Sequence, residues 1–312
     1  MEVAAIDRFE AGRGRLASLA YRLLGSAADA EDAVQDAFLR WQAADRERIA
    51  VPEAWLTKVV TNLCLDRLRS AQARHERAAG AWLPEPLLEG DPMLGPAEHF
   101  EQRESVSLAV LILMERLSPV ERAVYVLREA FSYSHAEIAG ILDISESASQ
   151  QHVHRARIRV TAERHRGGEA DPASARRVVE EFLAAAMSGR TERLVALLTD
   201  DVTAVSDGAG LGRRLLRLRT RERVASFVRA GFRPTEAKRR LAGGSPAMHI
   251  ARVNGSPAVL AVVDDRVVGI VAFGVSEGKV SSLHGIAAAA RLSRLNESWR
   301  RHEPDAPIIA AW

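Results

Sequence analysis

Residues Leu117 to Val160 read LSPVERAVYVLREAFSYSHAEIAGILDISESASQQHVHRARIRV, and their spacing decides the fold of the middle of the chain. Ser118 stands as a helix N-cap, Pro119 takes the first helical position, and Glu121 follows three residues after the cap, the signature of a capping box. Ser134 and Glu137 repeat that signature before a short helix through Leu142. Asp143-Ile144-Ser145 makes a turn, and Ser145 caps a second helix from about Glu146 to Arg159. Two short helices around a tight turn make a helix-turn-helix, whose second helix meets base edges in the major groove with its N-terminal part. Ser147, Ser149, Gln150, Gln151 and His154 are therefore base-edge candidates. Arg155, Arg157 and Arg159 follow and suit phosphates, whose neutralisation makes binding salt-dependent. The same unit also serves protein–protein contacts, so alone it leaves both uses open.

Upstream, Ala28 to Trp41 read ADAEDAVQDAFLRW. As a helix this places Ala30, Val34, Ala37, Phe38 and Trp41 on one face and Asp29, Asp32 and Asp36 on another, with Glu31 and Gln35 beside them. An acidic stripe suits either a solvated face or a protein contact. PEAWLTKVVTNLCLDRLRS, from Pro52 to Ser70, forms the next helix. Trp55, Val59, Leu63 and Cys64 give it an apolar stripe, with Lys58, Thr61, Asn62, Asp66 and Arg69 opposite. Arg67, Arg69, Arg74 and Arg77 make a local basic cluster. Asn and Thr can bond bases while Lys and Arg hold phosphates.

The break at Ala81 to Pro96, AWLPEPLLEGDPMLGP, carries four prolines and two glycines, which no helix survives. A second linker, Gly167 to Pro172, precedes a segment of different kind. SARRVVEEFLAAAMSG and RTRERVASFVRAGF read as helices. From Met248 the period becomes that of strands, with Asn254-Gly255, Asp264-Asp265 and Glu277-Gly278 as turns of an antiparallel meander. Helices followed by a sheet is an α+β order.

The length of 312 residues implies two or three domains, and 47% apolar with 27% charged residues is ordinary for a globular protein. Lys plus Arg number 43 against 41 Asp plus Glu, so any nucleic-acid footprint has to be local. The single cysteine, Cys64, excludes an internal disulfide framework and a cysteine-based zinc cluster, and its apolar helical setting reads as core. His152, His154 and His165 lack acidic or thiol partners at ligand spacing; no metal and no cofactor are expected. The start, MEVAAIDRFEAGRGR, has no signal-peptide features and no stretch is long and apolar enough to span a bilayer. A cytoplasmic protein without membrane contact is the expectation.

DAEDAVQDAFLRW followed by PEAWLTKVVTNLCLDRLRS resembles the sigma-2 domain of extracytoplasmic-function (ECF) RNA polymerase sigma factors, and LSPVERAV…HAEIAGILDISESA…HRAR resembles their sigma-4 domain. The resemblance implies a multidomain protein: an all-α sigma-2 bundle at 1–77, a Pro-rich linker at 78–96 and an all-α sigma-4 helix-turn-helix at 97–166. It implies partners in core RNA polymerase (β′ and β subunits) and promoter DNA. Asp29, Glu31, Asp32, Gln35 and Asp36 would then face polymerase. Lys58, Asn62, Arg67 and Arg69, with the segment Arg46 to Pro52, would serve the −10 element, and the helix-turn-helix the −35 element. Trp41 and Trp55 read first as core and second as stacking platforms. Many members carry Lys and Arg where this chain has Gln150 and His152, so their −35 preference does not transfer.

The remaining residues, 172–312, resemble the SnoaL-like branch of the NTF2-like cone fold, an α+β domain. Trp82-Leu83-Pro84-Glu85-Pro86 resembles the linker of the SigJ-like group of ECF factors, in which such a fused domain contacts the linker and sigma domains and tunes activity in cis. Asp207-Gly208-Ala209-Gly210-Leu211-Gly212-Arg213 stands where that group tends to have a DGGGK-type turn, keeping the Asp but lacking the Lys, and Ala288 to Leu292 stands where it tends to have NPDKL. Both depart from the group pattern, which implies rewired or weakened regulation if those motifs make the regulatory contacts. The alternative is a metabolite-responsive DNA-binding regulator, or an enzyme, whose last domain binds or converts a small ligand. Asp207, Asp264 and His284 are the candidates for moving a proton, although a hairpin turn and a polar strand face account for Asp264 and His284 equally well. The tail HEPDAPIIAAW is expected to stay mobile until its apolar end finds a surface.

Overall fold

The computed structural model describes residues 2–75, 83–95, 106–162, 171–210 and 215–312. They fall into two compact units. One joins the residues up to 75 with those of 90–162; the other joins 83–89 with those from 171 onward.

The first unit is helical: α1 (Glu2–Leu24), α2 (Ala27–Ala43), α3 (Pro52–His75), α4 (Leu108–Met114), α5 (Pro119–Glu129), α6 (His135–Leu142) and α7 (Glu146–Ala162). Gly25, at φ +64°, ends α1, and the Ser26 hydroxyl caps α2 by accepting from the Asp29 N–H at 3.2 Å. Helix α2 buries Ala30, Val34, Ala37 and Trp41 as its spacing requires. Helix α3 buries Leu56, Thr57, Val60, Thr61, Cys64 and Leu65, because α1 and α2 pack against it and so do α5 and α6. Thr61, expected on the polar side, is therefore fully buried: burial from several sides erases the contrast that a simple amphipathic reading assumes. Cys64 is core, and burial pushes its thiol up, above the effects of Arg67 and Asp29.

The helices on either side of the Pro-rich linker pack as one body. The buried Arg122 donates to the Leu23 carbonyl at the end of α1 (2.8 Å) and pairs with Glu115, a cation meeting a helix C-terminus. Arg15 donates to the Tyr133 hydroxyl at 2.7 Å, and Thr57 Oγ1 lies 3.1 Å from that oxygen. The end of the linker is fixed by Arg22, also buried, which donates to the Leu94 carbonyl at 3.0 Å. Burial brings the Arg22 pKa down to about 10, with Tyr21 opposing the shift.

The second unit contains α8 (Pro172–Met187), α9 (Thr191–Ala196), β1 (Leu198–Ser206), β2 (Leu216–Arg219), α10 (Arg221–Phe232), α11 (Glu236–Ala242), β3 (Ala247–Val253), β4 (Ser256–Val263), β5 (Arg266–Ser276), β6 (Lys279–Ile286) and α12 (Ser293–Trp299). Its six strands run in the order β2-β1-β6-β5-β4-β3. The hairpins β3–β4–β5–β6 form at the expected dipeptides, each with positive φ at both turn residues (Asn254 +50° and Gly255 +74° in the first), the geometry of type I′ turns. The sheet is mixed and not purely antiparallel, because β1, missed by the sequence reading, pairs parallel with β6. One core joins Val179, Phe182 and Leu183 of α8, Val224 and Val228 of α10, and Val259, Phe273 and Leu283 of the sheet. The tail finds its surface there. Ile309 bridges to Met248, and the Trp312 ring is buried in that core with Nε1 donating to the Phe232 carbonyl at 2.7 Å.

Candidate functional site

Helix α2 presents Asp29, Glu31, Asp32 and Asp36 to solvent, with Gln35 beside them. Arg67 of α3 reaches across to this row: it donates to the Asp29 carbonyl at 2.9 Å and to Asp36 at 2.8 Å, and lies 3.8 Å from Asp32. Arg67, expected to serve DNA with its neighbours, is thus paired with the acidic row. It faces α2, because the helix turn that puts Lys58, Asn62 and Arg69 on one side directs Arg67 to the other, toward the acidic helix. Arg69 pairs with Asp66 at 3.4 Å, Asn62 is half-buried, and Lys58 contacts Asp143 at 2.7 Å and the Gly140 carbonyl at 3.0 Å.

Between α2 and α3 lies an open cleft of about 500 Å³, lined by Asp45, Arg48, Ile49, Val51 and Trp55 among others. It falls within the segment that the sequence assigned to the −10 element. Trp41 is core, while the half-buried Trp55 packs on it at 5.7 Å and lines the cleft. The lining of the cleft is apolar except for Asp45 and Arg48, which lie 3.3 Å from each other.

Both capping boxes form. Ser118 and Glu121 close the first, Ser134 and Glu137 the second. Asp143 takes the left-handed conformation (φ +54°) in the turn, and the Ser145 hydroxyl accepts from the Ala148 N–H at 3.1 Å. On α7, Ser147, Gln150, Gln151 and His154 are exposed at helical spacings that share one face. Ser149 is not on it. It is fully buried, with its hydroxyl 3.0 Å from His135 Nδ1, and so braces α6 against α7; one position along a helix is enough to turn a side chain inward.

The arginines of α7 are engaged within the fold. Arg155 and Arg159 lie 3.3 and 2.7 Å from Glu121, and Arg157 lies 2.8 Å from Glu129. Glu121 is buried. Burial pushes its carboxyl up, but hydrogen bonds from Ser118 and the charges of Arg159 and Arg155 outweigh that and hold it below the usual carboxylate range. Glu121 is legible in the sequence as a cap but not in this second role, since its partners lie more than thirty residues away. Arg164, His165 and Arg166 lie outside the described residues, as do Arg77 and the side chain of Arg74.

Of the linker set, Trp82 lies outside the described residues; Leu83, Pro84 and Pro86 are buried and Glu85 half-buried. The chain then adds to the β3–β4 hairpin. Leu88 bridges to Val253, the Leu87 N–H donates to Asn254 Oδ1 at 2.8 Å, and the Asn254 and Glu89 N–H groups donate to the Leu87 and Arg252 carbonyls at 2.9 and 3.0 Å. Asp207, before the exposed Gly208 and a 3-10 turn that ends at Gly210, accepts from the N–H groups of Ala209, Ala287 and Ala288 at 2.8–3.0 Å. The two stretches singled out separately in the sequence are thus clasped to each other, and this carboxylate is committed to backbone. His284 is buried on β6 and Asp264 is an exposed turn residue. Among the described residues no three His, Cys, Asp or Glu side chains gather as metal ligands, and no helix is long and apolar enough to cross a membrane.

The Sigma-70 region 2 family matches residues 6–74 and the Sigma-70, region 4 family matches residues 107–160. ECF RNA polymerase sigma factor SigJ of Mycobacterium tuberculosis is 39% identical over 308 residues, covering 96% of both chains. The probable ECF sigma factor SigI of the same species is 32% identical, covering 92% of this chain and 94% of its own. The crystal structure of M. tuberculosis SigJ superposes with a TM-score of 0.68 at 34% identity, covering 93% of this chain and 98% of that one. With both sigma regions in place and a relative matching almost end to end, this chain belongs to the ECF RNA polymerase sigma factors, non-enzymatic transcription factors that direct transcription initiation.

Proposed function

We propose that this sigma factor is modulated in cis by its second unit, acting through the linker between the two sigma regions. The observation that carries the reading is the pairing of Leu87–Glu89 with Arg252–Asn254. A linker of this length spans very different distances when free and when held as an added strand. Holding it limits how far region 2 and region 4 can separate to meet two promoter elements at once. In the same reading the acidic face of α2, set by Arg67, docks on the polymerase β′ subunit. The cleft at Asp45–Trp55, with Lys58 and Asn62 near it, receives an unpaired −10 base, and Ser147, Gln150, Gln151 and His154 meet −35 base edges.

Promoter-dependent transcription with core polymerase tests this, comparing the full chain with one ending near Gly168 on a panel of promoters. A changed ratio of specific transcripts supports modulation in cis and gives its sign. Equal output from both proteins on every promoter would refute it.

A further inference from the structure

We propose that the second unit carries its own contact for the phosphate backbone of duplex DNA, centred on the free edge of its sheet. Between Leu216 and Arg240 the chain places eight Arg and one Lys against two Glu, in a protein whose formal net charge is only +2. Among the described residues strand β2 pairs only with β1 and so forms the sheet edge. Arg217 and Arg219 are exposed and, two residues apart, project to the face opposite Leu218, which packs on the core. Arg223 and Arg233 are exposed on α10 and just beyond it, and α10 packs on the core side of the sheet. Positive charge therefore wraps round the edge.

Little of that charge is neutralised internally. Arg221 meets Asp200 at 2.7 Å and Arg240 meets Glu236; Arg229 reaches only the Thr191 hydroxyl. Arg217, Arg219, Arg223 and Arg233 have no carboxylate partner among the described residues. Lys238 donates to the carbonyls of Ala230, Gly231 and Arg233, so even the negative end of α10 is covered by a cation. Charges on an edge strand also discourage strand-to-strand pairing. That role is met by β2 alone and does not account for the cations continuing through α10 and α11. Each exposed guanidinium can grip a phosphate in bidentate fashion. A duplex presents a phosphate every ~1.7 Å along its axis, and a sigma factor already works beside one. The inference stands apart from modulation through the linker: either can hold without the other.

The test is the full chain carrying R217A, R219A, R223A and R233A together, bound to a promoter duplex and to an unrelated duplex between about 50 and about 200 mM salt. None of these side chains holds the fold together. The expected result is the same loss of affinity on both duplexes. The slope of log K against log salt should shrink by about 0.9 for each phosphate contact removed, up to about 3.6, while the four Arg→Lys changes preserve most of it. Affinity for core polymerase should not move. A control pair, Q150A and Q151A, should instead weaken only the promoter duplex, so a failure of the helix-turn-helix reading is told apart from a failure of this one. An unchanged slope with weaker polymerase binding would overturn the proposal in favour of an acidic protein surface. An unchanged slope with unchanged polymerase binding would leave only edge protection and overturn it as well.

Discussion

The Lys58 ammonium lies 2.7 Å from the Asp143 carboxylate and donates to the Gly140 carbonyl at 3.0 Å, joining α3 of region 2 to the turn of the helix-turn-helix. A residue read as a −10 contact is thus held by the domain read as the −35 contact. Both side chains are partly exposed, so the pair contributes about 0.2–1 kcal/mol.

Asp143→Asn frees the Lys58 charge while keeping a residue that tolerates the left-handed turn. Affinity for a single-stranded −10 oligonucleotide should rise by up to about fivefold, read by fluorescence anisotropy. Lys58→Ala should weaken it, and the double variant should behave as Lys58→Ala. A tighter double variant would show that Asp143 acts by repelling DNA and not by holding Lys58.

What was legible in the sequence was local. The two capping boxes, the Asp143 turn and the three hairpin dipeptides each depend on residues within four positions of one another, and each formed. Contacts with distant partners were not legible. Thr61 and Ser149 are polar yet buried, Arg67 turns to α2, and the arginines of α7 close on Glu121 and Glu129. Strand β1 was missed because Asp200 and Asp201 interrupt its apolar alternation. Its parallel partner β6 comes some eighty residues later. The four-residue β2 gives too short a period to read.

Glu121 ties α7 to α5 through Arg155 and Arg159. Its carboxyl is held below the ordinary value of about 4.3, so it binds protons less readily folded than unfolded. Its contribution is present above the unfolded value and is lost as pH falls through the folded one. Glu121→Gln should cost about 1–2 kcal/mol at neutral pH, and its Tm should fall less steeply than that of the parent below about pH 4. Parallel Tm curves across that range would rule out the clamp.

Asn254 holds the linker from the hairpin turn. Asn254→Gly keeps the left-handed backbone and loses the acceptor for the Leu87 N–H; Asn254→Asp keeps both. Amide hydrogen exchange at Leu87 should accelerate in the first variant and stay near the parent rate in the second. If modulation runs through this clasp, transcription by the Gly variant should shift toward that of the chain ending near Gly168, with no change in core polymerase affinity.

Asp207 separates the structural role of this unit from a chemical one. Its carboxylate satisfies three backbone N–H groups that would otherwise stay unpaired where β1 meets the end of β6. Asp207→Ala should destabilise the second unit by about 2–4 kcal/mol, the cost of leaving such groups without partners, and Asp207→Asn by less because one oxygen acceptor remains. Both should be read by denaturant melts of the full chain, with the transition of the second unit moving and that of the helical unit staying put. A proton-transfer role makes the opposite prediction: full stability in the Asn variant, with loss of turnover on some small substrate. The geometry favours the first outcome, because a carboxylate accepting from Ala209, Ala287 and Ala288 has its lone pairs directed into the backbone and away from any substrate.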